Sequence, residues 1–400
     1  MHATPAVPSL IRELNERSVL DTLRANGALH AAEIARHIGL SKPTTADILR
    51  SLIETGLIQE YTPGEDDPKR ARSVYEAVSD LKVSLAIDIG SRFIRAAVGD
   101  LNEKMLAETS VAVKSLVLKD LIAVMHTSVD SVLKESGYTL KDVASLVVGT
   151  PGVVDQNTGV VAIAGTIAAL DGVNLADLLK KEFGIAPIVE NDINLVTVAE
   201  QAAGHGRGIE NFAVLSVGSG LGSGLVLSGK IHRGHRGAAG EIFYVPFGDP
   251  LDTHRDATNP SGDRIAELTR GLAKKFKGSV LQEPYSTVEI LKAAKAGDEL
   301  AKAVINLEAE RIALYVAAIS AVTDVELIVL SGGIGRQASF FLDPIKKLVG
   351  AIVPFPPRIE VSTLGDTGIL VGALNIATAK SCDAVFQDKH KSSHPLAGSM

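Results

Sequence analysis

The segment Leu85-Ala86-Ile87-Asp88-Ile89-Gly90 decides the fold of most of this 400-residue chain. It is an apolar run of strand length that ends in a glycine turn, and we expect residues 94–100 to return antiparallel to it. Further buried strands are predicted at residues 146–149, 187–192, 212–217 and 327–330. Because helical segments lie between these strands, the pattern predicts an α/β body that begins after a linker at residues 79–82.

The first 80 residues have a different pattern. Up to about residue 61 the apolar side chains recur at helical spacing, and Gly39 and Ser41 stand between two helical segments. Glycine can adopt the left-handed conformation that ends a helix, and serine is a good N-cap for the next one. These features predict a helix-turn-helix. The polar, turn-rich residues that follow it predict a β-hairpin wing.

This amino-terminal module has two groups of side chains that we expect to face DNA. They are Ser41, Lys42, Thr44, Thr45 and Arg50 on the recognition helix, and Lys69, Arg70 and Arg72 in the wing. A single helix needs only three or four side chains to read base edges in the major groove, while wing contacts to phosphates set the register. A protein-docking module is the alternative, because small trihelical units with a basic loop also have that role.

Composition excludes several classes of protein. The formal net charge is −7, so DNA binding must use a small basic patch on an acidic protein rather than the whole surface. No apolar run reaches the roughly 18–20 residues of a membrane helix, and the first residues lack the features of a secretory signal. The single cysteine, Cys382, excludes an internal disulfide framework. We therefore expect a cytoplasmic protein without a membrane partner.

Three glycine-rich turns, at residues 88–92, 218–224 and 331–335, each follow a predicted strand. Glycines at such positions let backbone N–H groups converge on an anion, which is how phosphates are usually held. The candidate phosphate-loop residues are Gly90, Ser91, Gly218, Ser219, Gly220, Gly332 and Gly333. None of the turns has the Walker A or Rossmann spacing. The alternative is that these glycines are only structural.

A carboxylate beside an amide, Asp192 and Asn191, follows the strand at residues 187–192. Asp can accept two hydroxyl hydrogens and Asn can both donate and accept, so the pair suits a polyol. Asp192 is also a candidate general base for phosphoryl transfer. The alternative is a helix N-cap, a role that Asn and Asp commonly have. Glu241, on a glycine-rich loop, is a second candidate for hydroxyl binding.

Together these residues resemble the ROK family of repressors, open reading frames and sugar kinases, over about residues 10–378. The most specific matches are Glu190-Asn191-Asp192, Gly218-Ser219-Gly220-Leu221-Gly222 and Gly237-Ala238-Ala239-Gly240-Glu241. The resemblance implies a two-lobed body of the actin-like, ribonuclease H-like fold. Members with an amino-terminal winged helix-turn-helix look like transcriptional regulators, mostly repressors released by a sugar or sugar derivative. The implied partners are double-stranded operator DNA, such an effector, and further copies of the chain in a homodimer or homotetramer.

The resemblance also predicts a division of the chain. We expect a winged helix-turn-helix at residues 1–80, a small α/β lobe at 83–195 completed by about 368–381, a large lobe at 196–367 with the ligand cleft and dimer surface, and a mobile tail at 382–400. The residues expected to bind the ligand are Asn191, Asp192, Glu241, Tyr244 and Thr166. Thr166 is included because it aligns with the Asn of the family's N-L-x-x-W segment.

Two departures from the family motifs bear on activity. Family kinases have D-I-G-G-T in the first phosphate loop, whereas here the bulky Arg92 replaces the Thr that would face the phosphates. We therefore expect vestigial phosphate loops, no catalytic residue and no ATP cofactor. The family's zinc site needs a His and three thiolates, but Tyr244 has the His position and no cysteine follows before Cys382, so zinc is not expected.

Two other interpretations remain open from the sequence. One is an ATP-dependent sugar kinase with an added DNA-binding module, in which Asp192 would be the catalytic base. The other is a DNA-binding protein whose α/β body no longer binds a ligand, since several of the family's sugar contacts are altered.

Overall fold

The structure is a computed structural model, and it describes residues 8–61, 73–218, 220–247, 259–337, 340 and 342–393. Four residues predicted to be functional lie outside these ranges: Lys69, Arg70 and Arg72 of the wing, and Ser219 of the second glycine-rich turn.

The amino-terminal module is a winged helix-turn-helix, as predicted. Its elements are α1 (Pro8–Asn26), β1 (Leu29–His30), α2 (Ala31–Ile38), α3 (Lys42–Glu54), β2 (Ile58–Tyr61) and β3 (Val74–Ala77), with the strands in the order β1-β3-β2. Gly39 has φ +69° and ends α2, while the Ser41 hydroxyl accepts a hydrogen bond from the Thr44 N–H at 3.3 Å and so caps α3. Tyr61 pairs with Val74, so the predicted wing lies between two paired strands.

The body contains two sheets with the same topology. The first half comprises β4 (Val83–Ile89), β5 (Phe93–Gly99), β6 (Met105–Ala112), α4 (Leu118–Ser136), β7 (Val143–Thr150), β8 (Val153–Val154), β9 (Val161–Ala162), α5 (Leu175–Phe183) and β10 (Ile188–Asn191). Its five-stranded sheet has the order β10-β7-β4-β5-β6. The strands β4, β5 and β6 are antiparallel neighbours, and β7 and β10 are added parallel to β4.

The second half repeats this arrangement. It comprises α6 (Asp192–Ala203), β11 (Phe212–Val217), β12 (Leu221–Leu227), β13 (Lys230–Ile231), α7 (Gly262–Ala273), α8 (Thr287–Lys295), α9 (Glu299–Thr323), β14 (Leu327–Ser331), α10 (Gly332–Gly335), α11 (Leu342–Ile352), β15 (Arg358–Val361) and α12 (Gly368–Ser393). The sheet order is β13-β12-β11-β14-β15, with β14 and β15 parallel to β11. The predicted α/β body is therefore confirmed, and its two sheets place the ends of β4, β10, β11 and β14 around one cleft.

Helix α12 returns to the first sheet and packs against both that sheet and α6. Leu370, Ala373 and Leu374 are buried there with Leu195 of α6. A Cβ at Gly372 would lie 1.9 Å from the Leu195 carbonyl oxygen, so the two helices can cross this closely only because residue 372 is glycine. Within the described ranges, residues 365–389 form the one segment whose length and apolar composition would suit a membrane helix. Because half of it is buried inside the protein, we interpret it as a core helix.

The end of α12 corrects a prediction. We expected a mobile tail from residue 382, but the helix continues to Ser393, and Val385 and Phe386 are 5% and 2% exposed. Both side chains pack with Leu20 and Leu23 of α1 in the core of the winged helix-turn-helix. The prediction failed because residues 382, 385 and 386 are apolar at helical spacing, and this signal is short and interrupted by polar residues.

Candidate functional site

The exposed surface of α3 is the candidate DNA interface. Lys42, Thr44 and Arg50 are all exposed on it. Arg50 forms an ion pair with Asp47 at 3.3 Å, with both side chains about two thirds exposed. Such exposed pairs contribute at most about 1 kcal/mol, so the guanidinium can turn to a phosphate or base at little cost.

One of the residues predicted to face DNA is buried, and another caps the recognition helix. Thr45 is 1% exposed, and its hydroxyl donates to the Ser41 carbonyl at 3.0 Å, so its assignment as a DNA contact was wrong. The physical reason is helical spacing, because residue 45 lies on the same face as the core residues Ile48 and Leu52. Ser41 is exposed, but its hydroxyl is engaged in capping α3.

Three carboxyl groups converge in the cleft of the body. Asp192 is the first residue of α6, Asp88 lies in β4, and Glu241 lies in the loop after β13. Burial, with the added charges of Asp88 and Glu241, raises the pKa of Asp192 to about 7. Burial raises the pKa of Asp88 to about 6, although its ion pair with Arg95 at 3.0 Å opposes this, and burial raises the pKa of Glu241. The sequence did not single out Asp88 as a site residue.

Asn191 is the N-cap of α6. Its side-chain oxygen accepts from the N–H groups of Ile193 and Asn194 at 2.9 and 3.1 Å, and its amide donates to the Gly152 carbonyl at 2.9 Å. The N-cap alternative is therefore confirmed for Asn191. As a result, the Asn191 side chain positions the neighbouring Asp192 and has little hydrogen-bonding capacity left for a ligand.

The loop that carries Glu241 is held against the first half of the body. Glu190, which is 2% exposed, accepts hydrogen bonds from Arg233 Nε at 2.6 Å and from Asn194 Nδ2 at 2.9 Å. Gly237 has φ +81°, and a Cβ there would lie 2.3 Å from the Val154 carbonyl oxygen. Because Arg233 and Gly237 both lie in the loop, these two contacts fix the position of Glu241 relative to Asp192.

The remaining predicted ligand residues lie at the surface. Tyr244 is 46% exposed at the end of the short 3-10 helix that Glu241 caps, and its ring meets the Phe243 ring edge-on at 5.7 Å. Thr166 is exposed in the turn before residues 168–170, and no hydrogen bond joins it to the three carboxyl groups in the described part of the chain.

Glycine is required in the first and third glycine-rich turns, and the second and third turns adjoin. A Cβ at Gly90 would lie 2.7 Å from the Phe93 carbonyl oxygen, and one at Gly332 would lie 2.5 Å from that of Val217. Gly90 therefore needs glycine for packing, and Gly332 needs it both for packing and for its φ of +79°. A Cβ at Gly218 would lie 3.5 Å from the Gly333 nitrogen, so the second and third turns adjoin.

Guanidinium groups surround the carboxylate of Asp366, near the first and third turns. Asp366 forms an ion pair with Arg336, and the positive charges of Arg336, Arg95 and Arg92 hold the pKa of Asp366 below its usual value. Among the described residues, no group of three or more His, Cys, Asp or Glu side chains is arranged to hold a metal ion.

Comparison with known proteins identifies both parts of the chain. Residues 84–380 match the ROK family, and residues 12–59 match the winged helix-turn-helix DNA-binding family. The chain belongs to the ROK family. A winged helix-turn-helix joined to a ROK body is the architecture of a DNA-binding, sugar-responsive transcriptional regulator, and it makes the kinase interpretation the less favoured one.

This ROK protein is similar both to repressors and to sugar kinases of the family. The xylose repressor of Caldicellulosiruptor bescii is 23% identical over 386 residues, which cover 92% of this chain and 96% of the repressor. The glucokinase of Halalkalibacterium halodurans is 27% identical over 312 residues, covering 72% of this chain and 93% of the kinase. A crystal structure of a ROK family transcriptional regulator, a homolog of the E. coli MLC protein, superposes with a TM-score of 0.77 at 21% identity and covers 95% of this chain and 98% of its own. That likeness confirms the fold.

Proposed function

We propose that this ROK protein is a transcriptional repressor that binds operator DNA through α3 and the wing, and that a sugar or sugar derivative in the cleft releases it. The observation that carries the proposal is the presence of two sites in one chain. One is the exposed face of α3, which carries Lys42, Thr44 and Arg50, and the other is the group of carboxyl side chains from both halves of the body, Asp88, Asp192 and Glu241. The similarity to a xylose repressor over nearly the whole chain supports a sugar as the effector class.

The carboxyl groups explain how a polyol would bind. Ionised carboxylates only accept hydrogen bonds, and each hydroxyl of a sugar donates one. Such a donor would stabilise the charged forms of Asp192 and Glu241, which burial disfavours in the free protein. Ligand binding is therefore expected to lower the pKa of Asp192 and to be stronger above neutral pH than below it.

The position of the cleft explains how binding would reach the DNA-binding module. Asp88 belongs to the first sheet and Glu241 to the loop after β13 of the second, so a ligand that contacts both favours one arrangement of the two halves. Helix α12 begins at the cleft, after Asp366, and ends in the core of the winged helix-turn-helix. A differential affinity of about 1–3 kcal/mol between two arrangements would suffice for regulation.

The first experiment measures DNA binding. Duplexes selected from a random library by the full chain are titrated by fluorescence anisotropy, with and without a panel of pentoses, hexoses, N-acetylhexosamines and their phosphates. Lys42→Ala should weaken DNA binding, whereas Lys119→Ala, an exposed change of the same kind on α4, should not. If no compound in the panel changes DNA affinity, the body does not act as a sugar switch, and a regulator that no longer binds ligand is the better description.

A sugar kinase is the second candidate, because one observation favours it. The pKa of Asp192, raised to about 7, suits a general base that works near neutral pH. Against it, Arg92 replaces the threonine of the first phosphate loop, and we propose that the chain is not an enzyme. A coupled assay of ATP turnover with the same sugars decides the matter. Turnover that disappears in Asp192→Asn would establish the kinase.

We further propose a cytoplasmic homodimer or homotetramer. Two copies would present two recognition helices to a pseudo-palindromic operator, with half-sites one or more helical turns apart. Light scattering coupled to gel filtration measures the assembly, and the spacing of half-sites in the selected duplexes tests whether two modules bind together.

A further inference from the structure

Strand β15 is the edge of the second sheet, and one of its two sides is unpaired. It runs parallel to β14, which is its one neighbouring strand among the described residues. On the β14 side, the N–H groups of Arg358 and Ser362 donate to the carbonyl groups of Glu326 and Leu330, both at 2.9 Å. Residues that bond to a neighbouring strand alternate with residues whose backbone groups point away from it. The N–H and carbonyl groups of residues 357, 359 and 361 therefore face outward.

These outward-facing groups form a definite order of donors and acceptors. Ile359 has an N–H and a carbonyl group that find no partner in the described part of the chain. Pro357 has a carbonyl group and no N–H. Val361 has the opposite arrangement, because its N–H has no partner among the described residues while its carbonyl group accepts from His205 Nε2 at 3.2 Å. The edge thus lacks a donor at one end and has an occupied acceptor at the other.

This order is complementary to itself. When a second β15 lies antiparallel, with the two Ile359 residues opposite each other, these residues exchange two hydrogen bonds. In the same register each Val361 N–H meets the Pro357 carbonyl group of the second copy. Proline often protects an edge strand from pairing, because it cannot donate. Here it costs no hydrogen bond, since the Val361 carbonyl group that would need the donor is already bonded to His205.

The charged side chains of the edge have the same two-fold complementarity. Arg358 and Glu360 project from one face of β15, with Nε and Oε1 4.0 Å apart and the side chains 52% and 34% exposed. In the antiparallel register each Arg358 lies opposite Glu360 of the second copy, in the type of pair whose side chains are closest. Lys346 of α11 also borders the edge, and its charge has no such match. Because its side chain is exposed, its ammonium group can remain in solvent.

We propose that β15 pairs with β15 of a second copy about a two-fold axis at Ile359, so that two five-stranded sheets become one sheet of ten strands. The inference rests on the proposed homodimer and names the surface that forms it. A two-fold interface between the bodies relates the two α3 helices by the symmetry of a palindromic operator.

Disulfide trapping tests the register. The full chain with Cys382→Ala, which removes its only native cysteine, carries either Arg358→Cys or Glu360→Cys. The two variants are mixed, left to exchange subunits and oxidised with copper phenanthroline, and covalent dimer is measured on a non-reducing gel. Only the mixture places two introduced thiols directly opposite each other, at the Cα separation that a disulfide needs. It should therefore form at least about fivefold more covalent dimer than either variant alone.

Charge reversal tests the pairing without a covalent bond. Arg358→Glu and Glu360→Arg each place like charges opposite each other twice in the dimer, so each should raise the dimer dissociation constant about tenfold or more. The two changes in one chain restore opposite charges and should return the constant to within about threefold of its original value. Lys119→Glu, the same reversal at an exposed position on α4, is the matched control and should leave it unchanged. Sedimentation equilibrium over a dilution series gives the constants.

The possible results separate this surface from the homodimer itself. A dimer that lacks either the selective cross-link or the charge dependence would overturn the pairing through β15, while the homodimer would stand. A chain that stays monomeric at every concentration would overturn both. In either case the DNA titration with and without sugars decides the repressor function independently.

Discussion

Replacing Asp192 by Asn tests the electrostatics of the cleft directly, because Asn has the same shape and no charge to bury. The pKa of Asp192 is raised from 3.8 to about 7 in the folded protein. Between these two pH values the unfolded chain releases the proton while the folded chain retains it, so unfolding becomes easier as pH rises. The free energy of unfolding is not reduced by this effect below about pH 4, and the reduction is complete above about pH 7.

The size of the effect follows from the same shift. Each pH unit within the window costs about 1.4 kcal/mol, so the unmodified protein would lose up to about 3 kcal/mol of unfolding free energy between about pH 5 and pH 7. Solvent reaches part of the Asp192 side chain, which reduces the expected loss to about 1–3 kcal/mol. Asp192→Asn lacks this loss, so the variant should gain stability relative to the unmodified protein as pH rises.

The assay is urea unfolding of the unmodified protein and of Asp192→Asn at about pH 5 and about pH 8, with the free energy of unfolding obtained at each pH. Asp120→Asn, an exposed carboxylate on α4, is the matched control and should follow the unmodified protein. If Asp192→Asn and the unmodified protein have the same pH dependence, the Asp192 carboxyl group does not lie in a buried, like-charged environment, and a polyol would gain little by hydrogen bonding to it.

Three further predictions concern the DNA interface, the cleft loop and the contact of α12 with the winged helix-turn-helix. Lys42→Ala should lower the dependence of log affinity on log salt concentration by about one unit if Lys42 contacts a phosphate, and an unchanged slope would exclude that contact. Arg233→Gln leaves the buried Glu190 without its cationic partner, so it should weaken binding of any cleft ligand severalfold, as measured by calorimetry; unchanged affinity would mean that the loop is held by other contacts. Phe386→Ala should destabilise the winged helix-turn-helix by about 3–5 kcal/mol and produce an earlier, separate unfolding transition in calorimetry, whereas a single unshifted transition would show that α12 does not stabilise the module.

Most of the fold could be predicted because its signals are local. The strand at residues 85–90, the glycine that ends α2 and the serine that caps α3 are each decided within a few residues of sequence. The N-cap role of Asn191 was foreseen only as an alternative, since an Asn before a helix has the same sequence pattern whether it caps the helix or binds a ligand. The hydrogen bonds of the Asn191 side chain to Ile193, Asn194 and Gly152 distinguish the two roles, and these are visible only in the structure.

The interactions that sequence could not predict are those between distant segments. Thr45 differs from its exposed neighbour Thr44 only in which face of α3 packs on the core. Asp88 joins the site because the end of β4 lies near the start of α6, about a hundred residues later in the sequence. The ion pair between Arg17 and Asp383 joins the two ends of the chain and has no local signal at all.

Helix α12 joins the DNA-binding module to the body, because it packs in the cores of both. A flexible linker alone would let the module reorient freely, and a change in the cleft would not reach it. Here Phe386 completes the core of the module, while Gly372 fits against Leu195 with no space for a Cβ. Because packed interfaces of this kind shift between discrete arrangements instead of deforming gradually, a movement of α6 at the cleft must either carry α12 with it or break the Gly372 contact. The helix is therefore the element through which a ligand bound beside Asp192 would change the position of α3.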